Sequence, residues 1–352
     1  MTRIVVCLDG FDPAYLDAAD TPAWDAIAEE GATGTCEAVV PSLTNVNNVS
    51  IVTASFPATH GITGNTYFDR EAGEMVYMES PDYLRAETRL QRASETGETV
   101  AALVAKKKLR RMVGRGCDFA ASAEEPPAEL TDAVGEAPGI YSGEASAWLM
   151  DAAVHVLETV DPDLLYVSTT DVVPHKHAPG EDAADEWVAA MDAGLGRLRA
   201  YGDVVATADH GMNEKTHRVD LDALLAAEGY DATVVRLIRD KHTYHHQNLG
   251  GAAYVYLDDA TAADVSWLAD VDGVELVLSR ADAADRFDLP TDRIGDAMVV
   301  GTPESVFGPI DGAATSDTVS LRSHGSHHER EVPYVASVDC SLASNTEAFD
   351  AF

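Results

Sequence analysis

"DVVATADHG", residues 203–211, is a short β-branched run that breaks into Asp209, His210 and Gly211. A run of that length bounded by turn residues reads as a buried strand feeding a loop. Its neighbours fix the context. Upstream, "AADEWVAAMDAGLGRLRAY" (183–201) has helical apolar spacing, and before it "DLLYVSTTD" (163–171) is another buried strand, ending in Asp171. "ASAWLMDAAVHVLETV" (145–160) is helical again. At the N-terminus, "RIVVCLDG" (3–10) repeats the pattern with Asp9 at its end. The helix within "TPAWDAIAEEGATG" (21–34) follows, which Thr21 can cap, Pro22 can open and Gly31 can stop. Alternating strands and helices predict an α/β fold, a mostly parallel sheet with helices on both faces. Such sheets place their sites beyond the C-terminal ends of the strands, where Asp9, Asp171 and Asp209 fall.

Other segments are less explicit. "GTCEAVV" (34–40) reads as a strand, whereas residues 66–140 look irregular, with Pro and Gly breaks through 126–139. "GGAAYVYLDDATAADVSWLADVDGVELVLSR" (250–280) reads strand–helix–strand without a dense polar motif. The expected organisation is a core of residues 1–213 and 301–352, with 214–300 as a smaller inserted α+β cap subdomain.

The chain has 352 residues, enough for one large domain or two ordinary ones. Its formal net charge is −36, from 60 acidic and 24 basic residues, which argues against nucleic acid or an anionic membrane as a partner. The acids are spread along the chain and only six lysines occur, a pattern suited to concentrated salt, where screening removes self-repulsion. A halophilic protein is expected; dialysis into low-salt buffer should then unfold it, and full stability there would count against the reading. Apolar residues make up 46% of the chain and fall in periodic blocks, unlike a disordered sequence. Cys7, Cys36, Cys117 and Cys340 are too scattered for a disulfide framework or a CxxC metal site. Asp9 and Asp12 interrupt the first apolar run, and no uncharged stretch reaches the length of a membrane span. The expected location is cytoplasmic, with a homo-oligomer left open.

Chemistry concentrates in a few places. "VVPSLTNVNNVSIVT" (39–53) packs Thr44 and the asparagines Asn45, Asn47 and Asn48 into a turn that opens a helix. "DVVPHKHAPG" (171–180) sets Asp171 and His175 four apart, so that one turn can aim both at a single ion. "ADHGM" (208–212) and "LRSHGSHHE" (321–329) add Asp209, His210, His324, His327 and His328. Carboxylate oxygens mixed with imidazole nitrogens suit zinc, and less specifically manganese or iron. A threonine hydroxyl is a poor nucleophile unless a base or a metal activates it, and helix N–H groups beside it favour a bound anion. Each piece also has a plainer reading. Asp9-Gly10 can be a simple turn, Thr44 a simple cap, and His327 with His328 exposed residues of a polar loop.

Taken together, these motifs resemble the nucleotide pyrophosphatase/phosphodiesterase branch of the alkaline phosphatase superfamily. That branch's Pro-x-x-Thr-x-x-Asn and Pro-x-x-His-Gly-Ile fall on Pro41, Thr44 and Asn47, then Pro57, His60, Gly61 and Ile62. Its Asp-x-x-x-His, Asp-His-Gly-Met and final histidine segments match 171–175, 209–212 and 322–325, in the same order. Within the branch, "TNVNNVSIVT" and "TTDVVPHKHAPG" are similar to the phosphonoacetate hydrolase family. "VAKKKLRRMVG" (104–114) is similar to the segment from which that family offers two lysines to its substrate, here Lys106 and Lys108. Half of the chain's six lysines gather at 106–108, where pressure toward an acidic surface would otherwise remove them. The plainer reading is a basic helix end paired with acids.

The resemblance implies an alkaline phosphatase-like core holding two zinc ions. Asp171, His175 and His324 would bind one; Asp9, Thr44, Asp209 and His210 would bind the other, with Thr44 as nucleophile and Asn47 receiving the phosphoryl group. The implied reaction is hydrolysis of the C–P bond of a small phosphonate, phosphonoacetate, through a phosphothreonine. Alternatives are a phosphodiesterase or nucleotide pyrophosphatase with the same core, and a non-catalytic binder of phosphorylated ligands. The role of "YHHQNLGG" (244–251), with His245 and His246, stays open.

Overall fold

A computed structural model of the chain describes residues 1–241 and 246–352; His245 lies outside the described residues. Its main sheet has seven strands, ordered Ala32–Glu37, Glu331–Ala336, Gly202–Thr207, Thr2–Cys7, Leu164–Ser168, Val100–Val104 and Phe119–Ser122. The last five run parallel, and Glu331–Ala336 is antiparallel to both of its neighbours. Leu164–Ser168 and Val100–Val104 are buried along their whole length, as strands covered on both faces must be. The helices Glu144–Thr159, Asp182–Arg199 and Pro22–Glu30 pack on one another and on this sheet.

Two departures from the sequence reading have local causes. Residues 100–122 are not irregular: they add two strands and the helix Lys107–Val113 to the parallel sheet. "VAALV" and "FAAS" are alanine-rich, so β-propensity alone does not announce them. Thr21 occupies the N-cap but its hydroxyl makes no capping bond. Instead the Asp192 carboxylate, from a neighbouring helix, accepts from the N–H groups of Ala23 (3.1 Å) and Trp24 (2.8 Å).

Beyond the core, Ala232–Arg236, Ala252–Leu257, Ala297–Gly301 and Val274–Ser279 form an antiparallel sheet in that order. Alternate residues divide its two faces. Val235, Tyr254, Met298 and Val300 join the main core, while Ala253, Val255, Ala297 and Val299 build a smaller one. The connection 258–273, read as a helix in sequence, holds only a 3-10 turn at Ser266–Asp270. A third sheet sets Asn213–Val219 between Ser305–Phe307 and Ser316–Ser323.

The helix Thr44–Thr53 is buried at every position after the first. His60 pins it from behind. Its Nδ1 accepts from Ile62 N (3.1 Å), so Nε2 carries the proton and donates to Ser50 Oγ (2.8 Å), whose own hydroxyl donates to Val46 O (2.9 Å). Burial, with Arg293 adding to it, pushes this imidazole down to about 3. Below the ordinary value of 6.5 the unfolded chain takes up a proton that native His60 refuses. Stability from this site is therefore complete above that value and falls by about 1.4 kcal/mol per pH unit toward the native value. The stability difference between wild type and His60→Gln should accordingly narrow between pH 7 and pH 4 in urea unfolding. A constant difference would remove His60 as an acid-sensitive element.

Candidate metal centre and active site

Strand order assembles the site. Cys7 pairs in register with Thr207 on one side and Ser168 on the other, and Ser168 pairs in turn with Val104. Four adjacent parallel strands therefore end at one level, and the residues just beyond them are Asp209-His210, Asp9, Asp171 and Lys106. Gly10 makes the turn after the first strand with φ +73, a left-handed conformation that favours glycine, and a Cβ there would lie 3.2 Å from Asp171 Cβ. Its N–H donates to Asp209 Oδ1 (3.0 Å). One turn after Asp171, His175 N donates to Asp171 O (3.0 Å) and its ring comes back over the same carboxylate.

Three histidines converge there with their tautomers fixed. Nδ1 of His175 lies 2.7 Å from Arg322 O, Nδ1 of His324 2.7 Å from Ser42 O, and Nδ1 of His210 2.9 Å from Gly211 O. A carbonyl can only accept, so each Nδ1 carries a proton, and Nε2 is the atom through which each ring can meet a metal. Those Nε2 atoms face carboxylates. His175 Nε2 is 3.1 Å and His324 Nε2 3.7 Å from Asp171 Oδ2, and His210 Nε2 is 3.3 Å from Asp9 Oδ1. Each of these pairs can share a proton or a metal cation.

Protons do not serve every pair. Burial raises the Asp9 carboxyl well above its ordinary range, and Asp171 and Asp209 push it further. Burial opposes charge on His210, but Asp209 and Asp9 outweigh it and lift the ring to about 10. His324 goes the other way, held well down by burial and by the His210 and His175 rings. It stacks on His210 with centroids 3.5 Å apart and planes 8° apart, so two imidazolium ions there would repel strongly. Among the described residues, the buried His324 Nε2 has no hydrogen-bond partner. Mixed carboxylate and imidazole donors, an orphaned Nε2 and an excess of buried negative charge fit divalent cations. Asp171, His175 and His324 form one candidate cluster, and Asp9, Asp171 and His210 another.

Thr44 is the first residue of its helix, with Leu43 as the N-cap. Its hydroxyl lies 3.4 Å from both Asp9 Oδ1 and His210 Nε2. A helix start leaves its first N–H groups without intrahelical partners, so the one at Thr44 can favour an anion beside this hydroxyl. The asparagines divide the supporting work. Asn48 Nδ2 donates to Asp209 Oδ2 (3.2 Å) and to Thr44 O (2.9 Å), and its Oδ1 accepts from Tyr166 (2.7 Å), so it positions both the Thr44 backbone and the Asp209 carboxylate. Asn45 Nδ2 donates to Asn65 Oδ1 (2.7 Å), and both line the pocket beside Thr44.

Asn47 does not reach this pocket. It is fully buried, its Oδ1 accepts from Val39 N (2.8 Å) and Asn345 Nδ2 (3.0 Å), and its Nδ2 donates to Val39 O (3.1 Å) and Leu43 O (3.4 Å). Its amide is consumed in holding the turn before Thr44. The asparagines that line the pocket are Asn45 and Asn65, and Asn65 Nδ2 donates to Ile238 O (2.9 Å).

The three lysines diverge. Lys107 turns outward to Glu125 (2.9 Å), while Lys106 and Lys108 line the pocket with Thr44, Asp171 and His324. Lys108 is ion-paired with Asp240, whose carboxyl is held well down by the two lysines against the effect of burial. Burial lowers Lys106, but Asp171 and Asp9 outweigh it and keep the ammonium charged. Asp240, Ile238 and His246 reach the pocket from the segment that follows Ala232–Arg236; of these, only His246 stands out in sequence, in a stretch whose role the sequence leaves open. Past Lys106 and Lys108 lies a cleft of ≈690 Å³, which Lys107 and Lys241 also line.

A family model described as type I phosphodiesterase / nucleotide pyrophosphatase matches residues 3–328. Phosphonoacetate hydrolase from Sinorhizobium meliloti 1021, solved with phosphonoformate and with phosphonoacetate, is 35% identical with a TM-score of 0.90, over 99% of this chain and 94% of that one. Murine ectonucleotide pyrophosphatase / phosphodiesterase 5 shares the fold, with a TM-score of 0.71 at 17% identity over 99% of this chain and 93% of that one. Alkaline phosphatase PafA of Elizabethkingia meningoseptica is 44% identical over 43 residues, 12% of this chain and 8% of that protein. An uncharacterized pyrophosphatase/phosphodiesterase of Schizosaccharomyces pombe is 25% identical over 230 residues, 60% of this chain and 44% of that protein. The chain thus spans less than half the length of these last two relatives. Among the described residues, no helix is long and apolar enough to cross a membrane.

Proposed function

The chain belongs to the type I phosphodiesterase / nucleotide pyrophosphatase family of hydrolases, and we propose that it cleaves the C–P bond of phosphonoacetate to give acetate and phosphate. One observation carries the choice of substrate: two ammonium groups, Lys106 and Lys108, line the same small pocket as the Thr44 hydroxyl. A phosphoryl group placed for attack by Thr44 would set a carboxylate one methylene away toward these lysines. The near full-length likeness to an enzyme solved with phosphonoacetate supports the reading.

We assign two zinc ions, one to Asp171, His175 and His324 and one to Asp9, Thr44, Asp209 and His210. Bound there, they supply Lewis-acid activation of a hydroxyl and screening of phosphoryl charge. The remaining work falls to the chain. Asn48 and the helix start hold Thr44 Oγ1 beside Asp9 and His210, from where it attacks phosphorus. The Thr44 N–H, with Asn45 and Asn65, holds the phosphoryl oxygens. As the O–P bond forms, the P–C bond breaks and its electron pair moves onto carbon, delocalised into the carboxylate as an enediolate. Lys106 and Lys108 stabilise that charge more than they stabilise the ground state, so they lower the barrier as well as bind. Carbon takes up a proton in place of the one Thr44 Oγ1 gives up, which yields acetate, and water then hydrolyses the phosphothreonine to phosphate and restores the hydroxyl.

The test compares leaving groups. Zinc-loaded protein in high salt is assayed with phosphonoacetate, phosphonopyruvate, an aryl phosphate ester and an aryl phosphodiester. Lys106→Met should lower kcat/KM for phosphonoacetate by about 10²–10³-fold, as loss of one transition-state charge partner does, and for the aryl phosphate ester far less. Equal losses would mean that the lysine meets no carboxylate. A second reading, a phosphodiesterase, rests on the ≈690 Å³ cleft, which has room for a larger leaving group. Preferential turnover of the diester would favour it.

A further inference from the structure

The turn that follows His324 carries a second constellation, which shares no residue with the buried centre. His327 and His328 open the 3-10 turn His327–Glu329, and its cap, the Ser326 hydroxyl, accepts from His328 N (3.1 Å). The turn brings both side chains to one side, with ring centroids 4.1 Å apart and planes tilted by 35°. Glu275 faces both: Oε1 is 3.4 Å from His327 Nε2, and Oε2 is hydrogen-bonded to His328 Nε2. The three residues each offer a donor atom within 4.8 Å of the other two.

Glu275 is not there by strand regularity. It stands on Val274–Ser279, an edge strand, at the point where the register with Ala297–Gly301 slips between Val274 and Leu276. A bulge re-aims the side chain it carries, here toward the two imidazoles. We propose that Glu275, His327 and His328 form a third cation site, which takes zinc or a similar late first-row divalent ion and fastens this edge strand to the segment carrying His324.

Two imidazoles and a carboxylate are a donor set for zinc, nickel or copper rather than for calcium or magnesium. The 3.4 Å between His327 Nε2 and Glu275 Oε1 matches the edge of a tetrahedron with zinc–ligand bonds of about 2.0–2.1 Å. Burial and the adjoining His328 ring hold His327 below its ordinary range, so at neutral pH it is an unprotonated ligand. The three side chains remain 18%, 21% and 35% exposed, which leaves coordination positions for water and a path for the ion. Arg286, on the helix Arg280–Phe287, bears on His327 and opposes a cation, so this site should load after the buried ones. The proposal does not depend on which substrate Thr44 meets.

Zinc titration of chelator-stripped protein, followed by equilibrium dialysis and elemental analysis, tests it. Wild type should bind one equivalent more than the His327→Ala/His328→Ala double variant and one more than Glu275→Gln. Its thermal midpoint should also keep rising with zinc after hydrolytic activity has saturated, whereas both variants level off at that point with activity intact. If the double variant fails to fold, Glu275→Gln alone decides, because it changes a partly exposed side chain on an edge strand. Equal zinc content in wild type and Glu275→Gln overturns the proposal.

Discussion

Thr44→Ala should lower turnover of phosphonoacetate by about 10³–10⁶-fold, as removal of a catalytic nucleophile does, while the protein stays folded. The substitution is mild for the scaffold. Among the described residues the hydroxyl makes two long contacts of 3.4 Å, and the bonds that fix the helix start run through the backbone carbonyl and through Asn47 and Asn48. Alanine is also a good helix former. Metal content should be reduced but not lost, because Asp9, Asp209 and His210 remain on one side and Asp171, His175 and His324 on the other. Thr44→Ser should keep part of the activity, with the same oxygen in place. A phosphopeptide spanning residue 44 should be trapped from quenched wild-type reactions and be absent from Thr44→Ala. Activity within tenfold of wild type would instead move the nucleophile to another group or to water.

What was legible in the sequence follows from where side chains sit on a parallel sheet. Asp9, Asp171 and Asp209 are readable because each ends an apolar run, and in-register neighbours then bring all three to one rim. Lys106 stands on the next strand of the same rim, but "VAALV" does not announce that strand, so only the lysine cluster pointed there. Asn47 illustrates the opposite problem. Composition offers three asparagines near Thr44 and cannot say which way each faces. On a helix the residue four places on, Asn48, lies nearer the face of Thr44 than Asn47 does, and Asn47 turns instead toward Val39 and Asn345. Asp240 and Ile238 were invisible, and His246 had no assignable role, for a third reason. They enter from a loop of the second sheet, so no periodicity in their own segment relates them to the rim.

Glu329→Gln should destabilise the protein by about 3–5 kcal/mol, the cost of leaving a buried charge without its partner. Lys215 and Glu329 are both inaccessible, with Nζ 2.8 Å from Oε1. Lys215 Nζ also donates to Pro303 O (2.6 Å). The carboxylate accepts from Asn213 Nδ2 (2.8 Å) at Oε1, and from Ser326 N (2.9 Å) and Oγ (2.7 Å) at Oε2. An amide in its place keeps one acceptor and turns an NH₂ group toward donors. Burial works against the ionised form, but Lys215, Ser326 and Asn213 prevail and hold Glu329 below the ordinary carboxylate range. Its contribution is thus present above that range and lost as pH falls through the lowered native value. The consequence extends to the metal centre. The Glu329 side chain accepts from Asn213, three residues past His210, and from Ser326, two residues past His324, so it braces two segments that each carry a candidate metal ligand. Glu329→Gln should therefore release metal to a chelator faster than wild type at temperatures where both remain folded. Adding Lys215→Met to Glu329→Gln should recover part of the lost stability, because no unpaired charge is left inside. An unfolding free energy for Glu329→Gln within about 1 kcal/mol of wild type would place this pair with the weak surface bridges, and the metal loops would then owe their position to packing alone.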